Sequence, residues 1–207
     1  MKTETYQLYK ERIPQQGQHI IASYDDEGII VYQAFRPSIA AYAVEHQRFG
    51  GADYSFERMS WIKPNFLWMM YRAGWATKAG QEKILAIKIS HAGFEQILEE
   101  ATYSSFNGKV YDSHEAWKAA LEQTEVRLQW DPDHGPNGEK LERRAIQLGM
   151  KGDILKKFNE DFIISIEDVT DFVARQREEI KNHDQLLVPA EQVYKTSAPL
   201  AQKLQLD

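Results

Sequence analysis

Apolar positions along this chain switch between the two-residue period of strands and the longer period of helices. The run GIIVYQAF, residues 28–35, is β-branched and aromatic and follows the turn signal Asp25-Asp26-Glu27-Gly28, so it reads as a strand. KILAIKIS, residues 83–90, reads as a second and mostly buried strand. VRLQW (126–130) and ERRAIQLG (142–149) read as two more. Between them, DPDHGPNGEKL is dense in Pro, Gly, Asn and Asp and reads as the long loop of a hairpin.

Helical patterning fills the intervals. Pro37 opens a helix over 38–48 that Gly50-Gly51 stops. Residues 64–76 carry Phe66, Leu67, Trp68, Met70, Tyr71 and Trp75 at helical spacing, closed near Gly74. Shorter helices are expected over 92–101, 113–122 (with Ser113 as cap) and 152–158, then an Ile-rich piece, FIISI. A polar helix over 167–182 places Val169, Phe172, Val173, Gln176 and Ile180 on one stripe. The first 17 residues read as an extended arm. The interleaved elements and the antiparallel hairpin predict an α+β class: one domain over 1–183 with a small mixed or antiparallel sheet flanked by helices. Residues 184–207 form a tail with little periodicity that either packs on this body or frays.

Composition narrows the chemistry. The 207 residues include no cysteine, which removes disulfides, thiolate nucleophiles and Cys-based metal sites. The start is polar, without the apolar core of a signal peptide, and no run reaches the ~18 apolar residues that span a bilayer. A soluble, cytoplasmic protein with no membrane partner is expected. With 31 acidic residues against 25 Lys and Arg, the net charge of −6 excludes a uniformly basic nucleic-acid binder. That average hides a split: residues 56–90 hold six cations and two acids, a local +4 that leaves −10 for the rest.

The basic stretch is also aromatic. Seven aromatics fall within residues 54–75, with Trp61, Trp68 and Trp75 seven apart, so that Trp68 and Trp75 would share a helix face. In one reading these rings are the core helix, and the cations its solvated flank. In the other, Ser60, Trp61, Lys63, Asn65, Trp68, Tyr71 and Arg72 form a site for a base and its phosphates, through stacking and charge-assisted hydrogen bonds. Arg36 stands where a strand ends and a helix begins, a place that favours anions, and Tyr32 lies on the strand leading to it. Neither GxGxxG nor GxxxxGK[ST] occurs.

Asp131, Asp133 and His134 invite a metal reading, but their spacing matches no established ligand pattern, and no metal is expected. On the following strand Glu142, Arg144 and Ile146 share one face, and Arg143, Ala145 and Gln147 the other. A Gln or Arg there is either a polar anchor beside a cleft or a solvated charge on an edge hairpin. Asp131, Arg144 and Gln147 are the catalytic candidates.

Three strings are long and specific: VYQAFRPSIAAYAV, RMSWIKPNFLWMMYRAGWATKAGQEKILAIKI and RLQWDPDHGPNGEKLERRAIQLG. Together they resemble the domain of unknown function 4291 family, which implies a single domain with the three motifs close together. The order of elements is also similar to the ADP-ribosyltransferases. That likeness implies NAD in a cleft between two small sheets, with Arg36 as the early-strand cation, Ser60 on the next strand, and Gln147 where a Glu is usual. Arg36 and Lys63 would then hold phosphates, and Trp61, Trp68 and Tyr71 would wall the base. Asp131, Arg144 and Gln147 would orient the reacting ribose or the acceptor. The alternatives are a non-catalytic module for single-stranded nucleic acid or another nucleotide, and an interaction domain whose tryptophans are all core.

Overall fold

The computed structural model describes residues 2–207 and is α+β. In chain order the elements are β1 Thr3–Thr5, α1 Tyr6–Arg12, β2 Ile21–Ala22, β3 Gly28–Phe35, α2 Pro37–His46, β4 Ser60–Ile62, α3 Phe66–Ala73, β5 Lys83–Ser90, α4 His91–Glu100 and β6 Ala101–Tyr103. They continue with α5 His114–Gln123, β7 Val126–His134, β8 Lys140–Met150, α6 Gly152–Lys157, β9 Ile163–Asp168, α7 Thr170–Glu178, β10 Leu187–Pro189, β11 Gln192–Val193 and α8 Ala198–Leu204. One π-helical turn, Phe158–Phe162, joins α6 to β9.

Two sheets carry the architecture. The first is antiparallel, in the order β3-β5-β9. The second runs β4-β8-β7-β6, antiparallel except for the β6–β7 pair. They meet at one backbone bridge: the Tyr32 N–H donates to the Lys63 carbonyl at 2.7 Å, and the Lys63 N–H returns to the Tyr32 carbonyl at 3.1 Å.

The apolar patterning explains the layering. On one face of the first sheet Ile29, Val31, Leu85, Ile87 and Ile89 join Ile62, Leu128, Ile146 and Leu148 from the second, forming the larger core. On the other face Tyr32, Ile84 and Ala86 pack with Phe66, Leu67 and Met70 of α3 and with Tyr6 and Tyr9 of α1. A sheet covered on both sides needs the near-continuous apolar runs that β3 and β5 show. Each fully buried Ile or Leu contributes about 1.5–3 kcal/mol.

Three expectations are corrected by local chemistry. The helix expected over 64–76 closes near Gly74 as expected, since Gly74 takes a left-handed conformation (φ 57°), but Trp75 then follows at φ 54° beyond its end. Trp68 and Trp75 therefore share no helix face. The hairpin loop is shorter than expected, since β7 runs through Asp131 and Asp133 to His134. A bulge at Pro132, which has no N–H for the ladder, accommodates it, and the turn closes with Gly135 N–H to the Glu139 carbonyl at 2.8 Å. The N-terminal arm is not simply extended, because Tyr6–Arg12 is helical with Tyr6 and Tyr9 buried.

The segment after 184 pairs with that arm. β10 lies antiparallel to β1, β11 antiparallel to β2, and Leu200 and Leu204 of α8 are buried in the larger core. The Asp207 carboxylate accepts from the Gln18 N–H at 2.7 Å. No helix among the described residues is long and apolar enough to cross a membrane.

Candidate functional site

Residues of both sheets line a cleft of about 640 Å³. The outer face of the second sheet supplies its floor. Register sets Gln129 opposite Gln147, and Trp61 opposite Gly149, with Asp131 two positions beyond Gln129. The period of two puts these side chains on one face and Trp130, Ile146 and Leu148 in the core beneath. Gln33 and Arg36 from the end of β3 form one wall. Lys63 enters at the bridge between the sheets and Ser60 from β4 beside it, α3 contributes Met69 and Arg72, and the 53–59 loop contributes Asp53, Tyr54 and Arg58.

Asp131 is held by two neutral amides. Gln129 Nε2 donates to its Oδ1 at 2.8 Å, and Gln147 Nε2 to its Oδ2 at 2.7 Å. Neither partner carries charge, so the carboxylate is oriented but its negative charge stays available to the cleft. Gly149 completes this floor. A Cβ there would lie 2.7 Å from Trp61 Cε2 and 2.8 Å from Cδ2, so the indole lies directly against the glycine.

Lys63 is the electrostatic centre. It is 7% exposed, and no carboxylate among the described residues lies within ion-pair distance of it. Burial pushes its ammonium down to about 8, Arg72 pushes the same way, and Asp131 opposes them. Arg36, Arg58 and Arg72 are exposed around it. The cleft presents a buried ammonium, opposed only by Asp131 beyond ion-pair distance, together with three guanidiniums.

The cleft thus gathers Arg36, Ser60, Trp61, Lys63, Arg72, Asp131 and Gln147. The other candidates lie elsewhere. Tyr32 is buried on the α3 side of β3, edge-on to Phe66 at 5.5 Å. Asn65 caps α3 through its Oδ1 to the Trp68 N–H at 2.7 Å, and its Nδ2 donates to Glu191 and Tyr9. Trp68 is 3% exposed and stacks with Tyr71 and His134 rather than lining the cleft. Tyr71 is exposed, but its ring lies on His134 with centroids 3.5 Å apart. Arg144 turns to the opposite face of β8, where it donates to the Trp130 carbonyl at 3.1 Å, as the strand period already implied.

Gln33, Gln129, Tyr54 and Arg58 also line the cleft, although none of them was among the candidate site residues. Gln129 had a signal, two positions before Asp131 on the same strand face. Gln33 had one too, as a polar residue in an otherwise apolar strand. Tyr54 and Arg58 lie in an irregular loop, and their only signal was membership of the aromatic and basic stretch.

A second polar cluster lies beneath α3. Glu191 accepts from the Phe66 N–H at 2.7 Å, from Tyr9 Oη at 3.1 Å and from Asn65 Nδ2 at 3.2 Å. Burial raises its carboxyl to about 8 despite those donors. Beside it Asp133 and Arg143 form a buried ion pair. Both groups are enclosed, and their hydrogen bonds tie α1, α3, the hairpin and the C-terminal segment together. Among the described residues no three His, Asp or Glu side chains converge as metal ligands would.

Residues 19–194 match the model of a family described as a domain of unknown function (DUF4291), and the chain belongs to that family. No curated protein matches it.

Proposed function

We propose that this member of the DUF4291 family is a nucleotide-handling enzyme that takes NAD into the cleft and transfers its ADP-ribose to an acceptor. The observation that carries the reading is Lys63: a buried ammonium without a counter-ion, in a cleft that also presents three guanidiniums. A pyrophosphate supplies the missing charge. Arg36 and Arg72 reach it as forked donors, and Lys63 as a point charge.

The opposite demand is met by Asp131. Breaking the bond between ribose C1′ and the nicotinamide nitrogen leaves positive charge on C1′ and its ring oxygen, and nicotinamide departs neutral with the bonding pair. A carboxylate fixed by Gln129 and Gln147 stabilises that charge without reorganising. The acceptor then bonds to C1′ and releases its proton to Asp131 or to water. Residues of two small sheets line the cleft, Arg36, Ser60 and Gln147 among them, which supports the ADP-ribosyltransferase likeness, although a Gln stands where a Glu is usual. On this reading Asp131 takes the carboxylate role.

The rival, a module that stacks single-stranded nucleic acid, has less support. Trp68 and Trp75 are 3% and 7% exposed, so two of its stacking faces are inside the protein. Calorimetric titration with NAD tests the proposal. Heat of binding that falls at least tenfold in affinity for Arg36→Ala is expected. No binding at millimolar NAD overturns it.

A further inference from the structure

The cleft contains a polar atom with nothing to bond. Gln33 is 3% exposed, and its Nε2 donates to Ser60 Oγ at 2.7 Å and to the Trp61 carbonyl at 3.1 Å. The second bond fixes the amide's orientation, because a carbonyl accepts only from the NH₂ side. Gln33 Oε1 is thereby left buried with no donor. An orphaned buried acceptor is costly, and strands of this kind place apolar residues at such positions instead. Ser60 adds the complement: having accepted from Gln33, its hydroxyl retains a proton to donate. One acceptor and one donor therefore stand side by side in the cleft wall, next to the Trp61 ring.

We infer that Gln33 and Ser60 read the primary carboxamide of a nicotinamide ring, whose NH₂ donates to Gln33 Oε1 while its carbonyl accepts from the Ser60 hydroxyl. The inference rests on the NAD reading above and adds the residues that decide which ring is accepted. Trp61, seated on Gly149, offers the face for that ring. Gln147 is two residues from Gly149 on the same strand face, about 7 Å along β8, and bonds directly to Asp131. A ring beside Trp61 thus holds its ribose C1′ toward the carboxylate that the reaction needs. This geometry selects nicotinamide over adenine for the Trp61 side, although adenine also presents a donor beside an acceptor.

Three dinucleotides titrated into the intact protein by calorimetry separate the outcomes. Nicotinic acid adenine dinucleotide replaces the carboxamide by a carboxylate, which has no donor for Gln33. Nicotinamide hypoxanthine dinucleotide keeps the carboxamide and loses the adenine amine. NAD is expected to bind about tenfold tighter than the nicotinic acid analogue, the scale of one unpaired buried polar group, and within about threefold of the hypoxanthine analogue. Gln33→Met removes the Oε1 acceptor and should abolish the discrimination. Ser60→Ala removes a donor that the carboxamide and the carboxylate would both use, so it should weaken NAD and the nicotinic acid analogue together and leave the preference in place. Gln33→Leu serves as the second variant if Gln33→Met does not fold. Equal binding of NAD and the nicotinic acid analogue overturns the inference, as does discrimination that survives Gln33→Met or that appears against hypoxanthine instead. No binding of NAD at all overturns the functional reading itself, a different result.

Discussion

Arg143 and Asp133 form an ion pair from Nε to Oδ2 at 2.6 Å, with side chains only 2% and 1% exposed. Asp133 also accepts from the His134 N–H at 2.7 Å, and the guanidinium lies 5.8 Å from the Tyr9 ring centre. The pair separates two acids that the sequence sets only two positions apart. Asp133 is neutralised by a guanidinium under α1, whereas Asp131 meets only amides and keeps its charge for the cleft. Burial pushes the Asp133 carboxyl up, and Arg143 pulls it back.

Removing one partner of a buried pair leaves an unpaired charge, so Arg143→Ala should cost about 3–5 kcal/mol and lower Tm by on the order of 10 °C. Asp131→Asn should leave Tm nearly unchanged, because an amide can still meet one of the two glutamines. It should instead lower nicotinamide release from NAD by about 100-fold or more, with NAD affinity held within a few-fold. Thermal denaturation and a nicotinamide-release assay on both variants check this. Similar Tm losses for the two would erase the distinction between the acids.

Much of this arrangement was legible where it depended on local pattern. The runs 28–35 and 83–90 are strands with the expected limits because their apolar faces are continuous and bounded by turn residues. The strand period already put Gln147 and Arg144 on opposite faces. What stayed hidden depends on partners far along the chain. Glu191 looks like a tail residue until β10 pairs with β1 and brings it to Tyr9, 182 positions away. Trp68 and Asn65 sit among cations in sequence, yet helix capping and packing turn both inward. A motif's composition reveals its chemistry, but which side of a helix end faces the cleft is a tertiary matter.

Lys63 should be useful to binding and harmful to stability. Lys63→Met removes an uncompensated buried charge, so Tm should hold or rise, while affinity for NAD or inorganic pyrophosphate should fall at least tenfold. Its lowered value near 8 adds a pH signature. An anion prefers the protonated lysine, so wild-type affinity should decline as pH rises from 7 to 9, and the variant should lack that decline. Calorimetry at several pH values measures both. An unchanged affinity in Lys63→Met would remove Lys63 from the site.

Gly149 should matter through the ring above it. The Cβ of Gly149→Ala would stand 2.7 Å from both Trp61 Cε2 and Met59 Sδ, so the indole must shift. Overpacking of this kind costs about 1–3 kcal/mol, and the displaced Trp61 should weaken NAD binding several-fold even when the variant is fully folded at low temperature. Full affinity at 10 °C would show that Trp61 offers the ligand no face.

The last prediction concerns Glu191, whose carboxyl is raised from about 4.5 unfolded to about 8 folded. Between those values the folded chain holds a proton that the unfolded chain has released. Stability contributed by this group is therefore complete below pH 4.5 and is lost as pH rises toward 8. Lys63 has the opposite sign, since its folded value lies below its unfolded one, but it acts only above about 8. The window from pH 5 to 8 isolates Glu191 from it. Glu191→Gln mimics the protonated acid and keeps an acceptor for the Phe66 N–H that begins α3. The two proteins should melt alike near pH 5, and the variant should gain on wild type by at most ~1.4 kcal/mol per pH unit, about 3–5 °C, up to pH 8. Subtracting the two curves removes the groups that do not interact with Glu191 and leaves its coupling to Asp133 and Arg143 within the difference. A difference that stays flat across that window would mean that Glu191 is ionised under α3, with its three donors outweighing burial.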